Sequence, residues 1–232
     1  MPDAPVADPS ERYADVTGFA ALGLQTPQFA DLALWRVLAD YDFETVLDVG
    51  GGAGEHGEVF IAFGKQVTSV DYGKSVYFER RNRQREVIIG DFNTLDLPRR
   101  YDLVWCSHVL EHQLDAHRFL TRLHAATREG GVLALTVPPA KSEIVGGHVS
   151  LWNAGLLLYR LVLAGFDCRQ ARVRRYGYNI SVLLEKRSIE LPELAYDCGD
   201  LRRLRRFLPP GLPFKPNAVD DPFDGDIDRI GW

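Results

Sequence analysis

Cysteine is scarce in this chain: Cys106, Cys168 and Cys198 are its only three, and no C-x-x-C spacing joins them. That excludes a disulfide framework and a zinc ribbon and fits reduced thiols in a cytoplasmic protein. No stretch reaches the roughly 18 uninterrupted apolar residues of a spanning helix. The opening MPDAPVADPS has neither the basic flank nor the apolar run of a signal peptide. A basic excess is missing too: the net charge is −5, so the chain as a whole attracts neither nucleic acid nor an anionic membrane. No internal repeat is visible. What is present is an ordinary globular composition, 46% hydrophobic and 25% charged, sufficient for the core of one large domain.

Residues 1–10, rich in Pro, Ala and Asp, read as a disordered N-terminus. Thr26-Pro27 reads as a helix cap and first turn, with Phe29, Leu32, Ala33 and Val37 forming an apolar stripe to about Asp40. From 45 to 137 short apolar runs alternate with helix-like segments: TVLDVG (45–50), QVTSVD (66–71), EVIIGD (86–91), YDLVWC (101–106) and GVLALTV (131–137). Such runs suit strands covered on both faces, and the alternation predicts an α/β doubly wound parallel sheet. A helix over 115–128 is capped by Asp115 and stopped by Gly130-Gly131. A second helix, 150–164, is apolar nearly all round and needs cover on more than one side, from a C-terminal arm or from a homodimer partner. Two strands within 167–177 and 179–187 follow as an antiparallel pair. The expected organisation is one domain over 11–189 and an irregular arm, 190–232, packing on it or on a second subunit.

The segment VLDVGGGAGEHG carries two overlapping patterns. Gly52-Ala53-Gly54-Glu55-His56-Gly57 satisfies G-x-G-x-x-G, with Asp71 about 20 residues on, as in dinucleotide-binding folds. Asp48-Val49-Gly50-Gly51-Gly52-Ala53-Gly54 satisfies D-x-G-x-G-x-G. With VTSVDYGKS, GDFNTLDLP, YDLVWCSHVLEH and GGVLALTVPP in order behind it, the chain resembles the class I S-adenosyl-L-methionine (SAM)-dependent methyltransferases over roughly residues 43–187. Charge separates the two cofactors. A pyrophosphate seeks backbone N–H groups with no carboxylate against it. The ammonium of SAM suits an acid at Asp48, and Glu55 adds further negative charge. The resemblance implies a single Rossmann-like domain: a mostly parallel seven-stranded sheet with an antiparallel last strand and helices on both faces. It places Asp48, Gly50, Gly52 and Gly54 around the cofactor and Asp71 on the ribose hydroxyls. Tyr72 would lie near the adenine, with Asp91 on its amino group and Phe92 on its ring. Cys106, Ser107 and His108 would lie near the methionine part.

Methyl transfer to a hydroxyl needs a group to take its proton, and histidine is the natural one. His117 and His124 lie within a helix and read as surface or packing residues, and His56 reads as serving the cofactor loop. His112 stands in a Leu-Glu-His triplet and reads as structural. His108 leaves the fourth strand near the expected methyl group. His148, behind two glycines in VGGHVSLWN, is the favoured general base, and His108 is the second candidate. Trp152 reads as an apolar wall, a sugar-stacking platform or core. The segments GGHVSLWNAG and DPFDGDIDRIGW resemble methyltransferases of sugars and other small hydroxylated molecules, more narrowly the mycobacterial methylmannoside O-methyltransferases. The implied acceptor is a small molecule, preferably a saccharide, with neither nucleic acid nor membrane as partner. The basic runs at Arg80, Arg81, Arg83 and Arg85 and at Arg202, Arg203, Arg205 and Arg206 read as solvated faces. Aspartates 220, 221, 224, 226 and 228 offer oxygens to a divalent metal such as Mg, but in no recognisable loop, so no metal ligand is assigned. Rival readings are N- or C-methylation, an NAD-dependent oxidoreductase and a non-catalytic SAM-binding subunit.

Overall fold

The computed structural model describes Phe19, residues 26–81 and residues 86–232. Segment 1–10, the start of the expected domain at 11, and Arg83 and Arg85 lie outside the described residues. The strands are β1 (Thr45–Val49), β2 (Gln66–Asp71), β3 (Val87–Ile89), β4 (Tyr101–Ser107), β5 (Thr127–Val137), β6 (Arg172–Tyr176), β7 (Asn179–Glu185) and β8 (Arg229–Ile230). They form one sheet in the order β3-β2-β1-β4-β5-β7-β6-β8. β1 to β5 run parallel, β7 inserts antiparallel between β5 and β6, and β8 pairs antiparallel with β6. Seven strands are expected; among the described residues the sheet has eight. The last is two residues of the C-terminal arm, too short to leave a periodic signal.

Side-chain alternation divides the core into two layers. On β4, Leu103 and Trp105 face helices α1 (Asp31–Asp40) and α2 (Glu55–Ala62), whereas Val104 and Cys106 face α4 (Ala116–Ala126) and α5 (Ala154–Leu163). A short helix α3 (Val76–Glu79) follows β2. Asp115 caps α4 as expected, accepting the Arg118 N–H at 2.9 Å. Two helix starts differ from expectation. α1 begins at Asp31 rather than beside Thr26-Pro27, because the intervening residues serve other partners: Phe29 stacks on His108, and Ala30 donates its N–H to Asn179 Oδ1. α5 is capped by Asn153, three residues past Ser150, since the Asn153 side chain accepts the Leu156 N–H at 2.7 Å.

The arm is more ordered than an irregular tail. It holds α6 (Asp200–Leu204) and β8, and it sends Leu204, Leu208, Leu212 and Ile227 into the core. Gly155 of α5 donates its N–H to Gly225 at 2.9 Å, an approach so close that a Cβ at 155 would stand 2.5 Å from the Gly225 Cα. The arm thus supplies cover for the apolar helix. Its charges are spent locally: Arg202 and Arg205 both reach buried Asp221, and Arg175 pairs with Asp226. Two of the five aspartates considered for Mg are therefore committed to arginines. Among the described residues no helix is long and apolar enough to cross a membrane.

Candidate active site

Strand order reverses between β1 and β4, so the crevice beyond their carboxyl ends is where an open α/β sheet binds ligands. The glycine loop fills its floor. Gly50, Gly52 and Gly54 all have φ between 53° and 91°, the left-handed region closed to most side chains. A Cβ at Gly50 would also lie 2.3 Å from Val109 Cγ2, so the turn demands glycine twice over. Asp71 ties the loop to β2: Oδ2 accepts the Gly52 N–H at 2.9 Å and Oδ1 the Gly73 N–H at 2.7 Å. Asp48 lies beneath the loop, 2% exposed, with Oδ2 unpartnered among the described residues. Burial first, and then the Asp71 charge, push its carboxyl up to about 7, with the Ser69 hydroxyl pulling the other way. A cation at the loop would meet a carboxylate for which the protein provides little compensation.

The other expected cofactor residues divide. Tyr72 is exposed at the end of β2, with the Lys74 ammonium over its ring. Asp91 is exposed and its Oδ1 accepts from the Asn93 backbone and amide. Phe92, the expected cover of the adenine, is buried edge-on against Phe119. Ser107 ends β4 with its hydroxyl buried and unpartnered among the described residues. His56 serves the loop region: its Nε2 donates to the Phe29 carbonyl at 2.9 Å and its ring sits edge-on to Trp105.

At the ends of β4 and β5, three histidines gather around a carboxylate that sequence reasoning passed over. Glu111 lies in a 3₁₀ turn, Leu110–His112, and is fully buried. Neither of its oxygens has a hydrogen-bond partner among the described residues. The His108 Nδ1 stands 3.4 Å from Oε1 and the His112 Nε2 3.8 Å from the same atom. His148 comes from the loop after β5, and that loop is docked on Glu111 itself: Val149 and Ser150 donate their N–H groups to the Glu111 carbonyl at 2.9 and 3.3 Å.

The two candidate bases differ in freedom. His108 has φ 55°, a strained conformation for histidine, and its ring lies between Phe29 and Tyr178. Its Nε2 donates to Asn179 Oδ1, an oxygen fixed as acceptor by the Ala30 N–H, while Nδ1 faces Glu111. His148 has no ring hydrogen bond among the described residues, and its ring packs edge-to-face with His112, ring centres 4.9 Å apart. Burial lowers its pKa; Glu111 opposes this, and His112 and His108 add to it. It borders a cavity of about 220 Å³ with Lys141, Glu143, Ser150 and Tyr178. Trp152 is core rather than platform, 3% exposed with its indole N–H on Ser150 Oγ at 2.9 Å. His124 packs on Phe166, away from this end of the sheet.

Residues 21–178 match a family model described as "Methyltransferase domain". A malonyl-[acyl-carrier protein] O-methyltransferase of Serratia marcescens is 30% identical over 154 residues, covering 65% of this chain and 59% of that protein. A ubiquinone biosynthesis O-methyltransferase of Pseudomonas paraeruginosa is 30% identical over 101 residues, 40% of this chain and 44% of the relative. The chain thus spans about half the length of the curated relatives it matches. Among solved structures, a 1,6-didemethyltoxoflavin-N1-methyltransferase of Burkholderia thailandensis with bound S-adenosylhomocysteine superposes with a TM-score of 0.55 at 22% identity. It covers 79% of this chain and 92% of its own. Glycine loop, strand order and family match agree: the chain belongs to the methyltransferase-domain family and carries the class I SAM-dependent methyltransferase fold.

Proposed function

We infer that the chain transfers the methyl group of SAM to a hydroxyl of a small acceptor, preferably a saccharide, held in the cavity beside His148. The observation that carries this reading is the position of His148, with no ring hydrogen bond among the described residues, on a largely apolar cavity beyond β5 that a few polar side chains enter. Asp48, Gly50, Gly52, Gly54 and Asp71 would hold the cofactor, with Tyr72, Asp91, Phe92 and Ser107 along its length and the SAM ammonium drawn to the Asp48 carboxylate. The acceptor oxygen attacks the methyl carbon in line, the C–S bond breaks, and the sulfonium becomes a neutral thioether. The hydroxyl proton goes to His148, since His108 has its Nε2 on Asn179 and its ring wedged between Phe29 and Tyr178. Tyr178, Val149 and Leu151 line the cavity together with the polar groups of Lys141, Glu143 and Ser150, a mixed lining suited to the apolar C–H surface and hydroxyl rim of a sugar. The two O-methyltransferase relatives favour oxygen over nitrogen or carbon. The three free thiols suit a reducing cytoplasm.

The test is methyl transfer from labelled SAM to a panel of saccharides, phenols and a malonyl-loaded carrier protein. Turnover of one or more saccharides is expected. Turnover of only phenol or carrier protein overturns the acceptor class, and calorimetry that finds NAD binding with no response to SAM overturns the reading as a whole.

A further inference from the structure

We propose that Glu111, His112 and His148 form a binding site for a divalent transition-metal ion of the zinc class. One ligand atom from each of these residues lies within 4.8 Å of the other two. Their chemistry is that of two imidazoles and one carboxylate, a set that holds zinc with one coordination position left for water or substrate. Magnesium prefers an all-oxygen shell and fits poorly. The site also differs from the C-terminal aspartates, two of which are paired with arginines.

Three independent features point to an ion. The first is Glu111, fully buried with both carboxylate oxygens lacking a hydrogen-bond partner among the described residues. Burying a carboxylate in that state is costly unless a cation meets it. The second is the tautomer of His112. Its Nδ1 lies 2.8 Å from the Gly147 carbonyl, which can only accept, so Nδ1 carries the proton and Nε2 turns a lone pair toward Glu111 Oε1 at 3.8 Å. Two lone pairs facing each other across that gap leave room for an ion between them. A backbone carbonyl on the far nitrogen is also the usual outer support of a metal-bound histidine. The third is the docking of the His148 loop on the Glu111 carbonyl through Val149 and Ser150, which joins the three ligands in one unit although the sequence separates them. Ligand contacts of about 2.0–2.2 Å require the groups to draw in by roughly an ångström or less. His148, on a loop that contains Gly146 and Gly147, is the one able to move.

The inference rests on the reading that the acceptor hydroxyl comes to His148, and it changes the means of activation. Glu111, His112 and His148 would hold the ion beside the cavity that His148 lines, with the His148 lone pair taken up by the metal. The ion would supply Lewis-acid chemistry there, favouring loss of the acceptor's hydroxyl proton to water in place of an imidazole base.

The experiment uses the full chain stripped with chelator and titrated with Co²⁺ by visible absorption and with Zn²⁺ by calorimetry, Mg²⁺ serving as competitor. One equivalent of Co²⁺ should give the intense visible bands of a low-coordinate site, Zn²⁺ should displace it, and Mg²⁺ should not. Glu111→Gln and His148→Gln should each weaken binding by about 100-fold or more, beyond the effect of a lost supporting contact. His148 is on a surface loop, so its variant keeps the test valid if Glu111→Gln fails to fold. Absence of saturable Co²⁺ binding, or binding unchanged in His148→Gln, overturns the metal site. The two readings fail separately. A parent that binds no Co²⁺ but loses saccharide methylation on His148→Ala leaves the proposed function standing with a bare imidazole base. A parent that binds Co²⁺ as described and methylates no saccharide leaves the site and removes the acceptor.

Discussion

Asp48 is a buried acid whose pKa is pushed up to about 7, mainly by burial. A folded-state value above the unfolded one stabilises the protein at low pH, and that stability is lost as pH rises from about 4 through 7. At pH 8 the charged carboxylate is a burden. Asp48→Asn should therefore raise stability by up to a few kcal/mol at pH 8, with the gain shrinking toward pH 5. The same variant should weaken SAM binding measured by calorimetry, because the ammonium loses its counter-charge. A variant less stable at pH 8 than at pH 5 relative to the parent contradicts the assignment. His148 makes a different prediction. His148→Ala should lower kcat by about 10²–10⁴-fold while leaving SAM affinity within a factor of about three, since the cofactor loop lies on other strands. A threefold or smaller effect on kcat removes His148 from the reaction. Asp48 and Glu111 mark the limits of reading a site from sequence. Asp48 stands inside a recognisable loop pattern, so its place was legible. Glu111 was not, because its significance comes from the His148 loop folding back onto its carbonyl, a contact between residues 38 and 39 positions apart in the chain that leaves no periodic trace.

At the scale of elements, Gly155 sets two effects against each other. In an exposed helix, replacing glycine by alanine gains about 1 kcal/mol of helix propensity. Here the new methyl would meet the Gly225 backbone at 2.5 Å and the Phe223 ring at 2.8 Å, and the backbone cannot yield as a side chain could. Gly155→Ala should accordingly lose about 1–3 kcal/mol in urea unfolding, while Gly211→Ala, with no atom within 4 Å of the new carbon, should be near neutral. Equal stabilities for the two variants would mean that the arm does not press on α5. The strands from 45 to 107 were legible because each is a short apolar run followed by turn residues, and β2 falls at 66–71 as expected. The start of α1 was not, since Thr26-Pro27 is a sound capping signal overruled by the tertiary contacts of Phe29 and Ala30. Nor was β8, which is a strand only because β6 offers it an open edge.

For the molecule as a whole, acid response combines groups of opposite sign. The His124 pKa is lowered to about 4 by burial and by Lys186, so its neutral form stabilises the fold above about 6.5, and that contribution drains away as pH falls toward 4. The ring is partly exposed, so about 1–2 kcal/mol is a fair expectation after solvent screening. Asp48 works the other way over much of the same range. In an Asp48→Asn background the fall in stability between pH 6.5 and 4 should stand clear, and adding His124→Gln should flatten it; a slope that persists belongs to other groups. The seating of the arm bears on how the protein is made. A ribosome delivers residues 154–163 well before 225–230, so the apolar flank of α5 and the edge of β6 emerge with nothing over them. Until the last residues arrive, the nascent chain offers an open strand edge and a greasy helix, the surfaces by which folding intermediates stick to one another. Synthesis that stalls or stops short of Gly225 should therefore yield aggregates or chaperone-bound chains rather than a slightly looser enzyme.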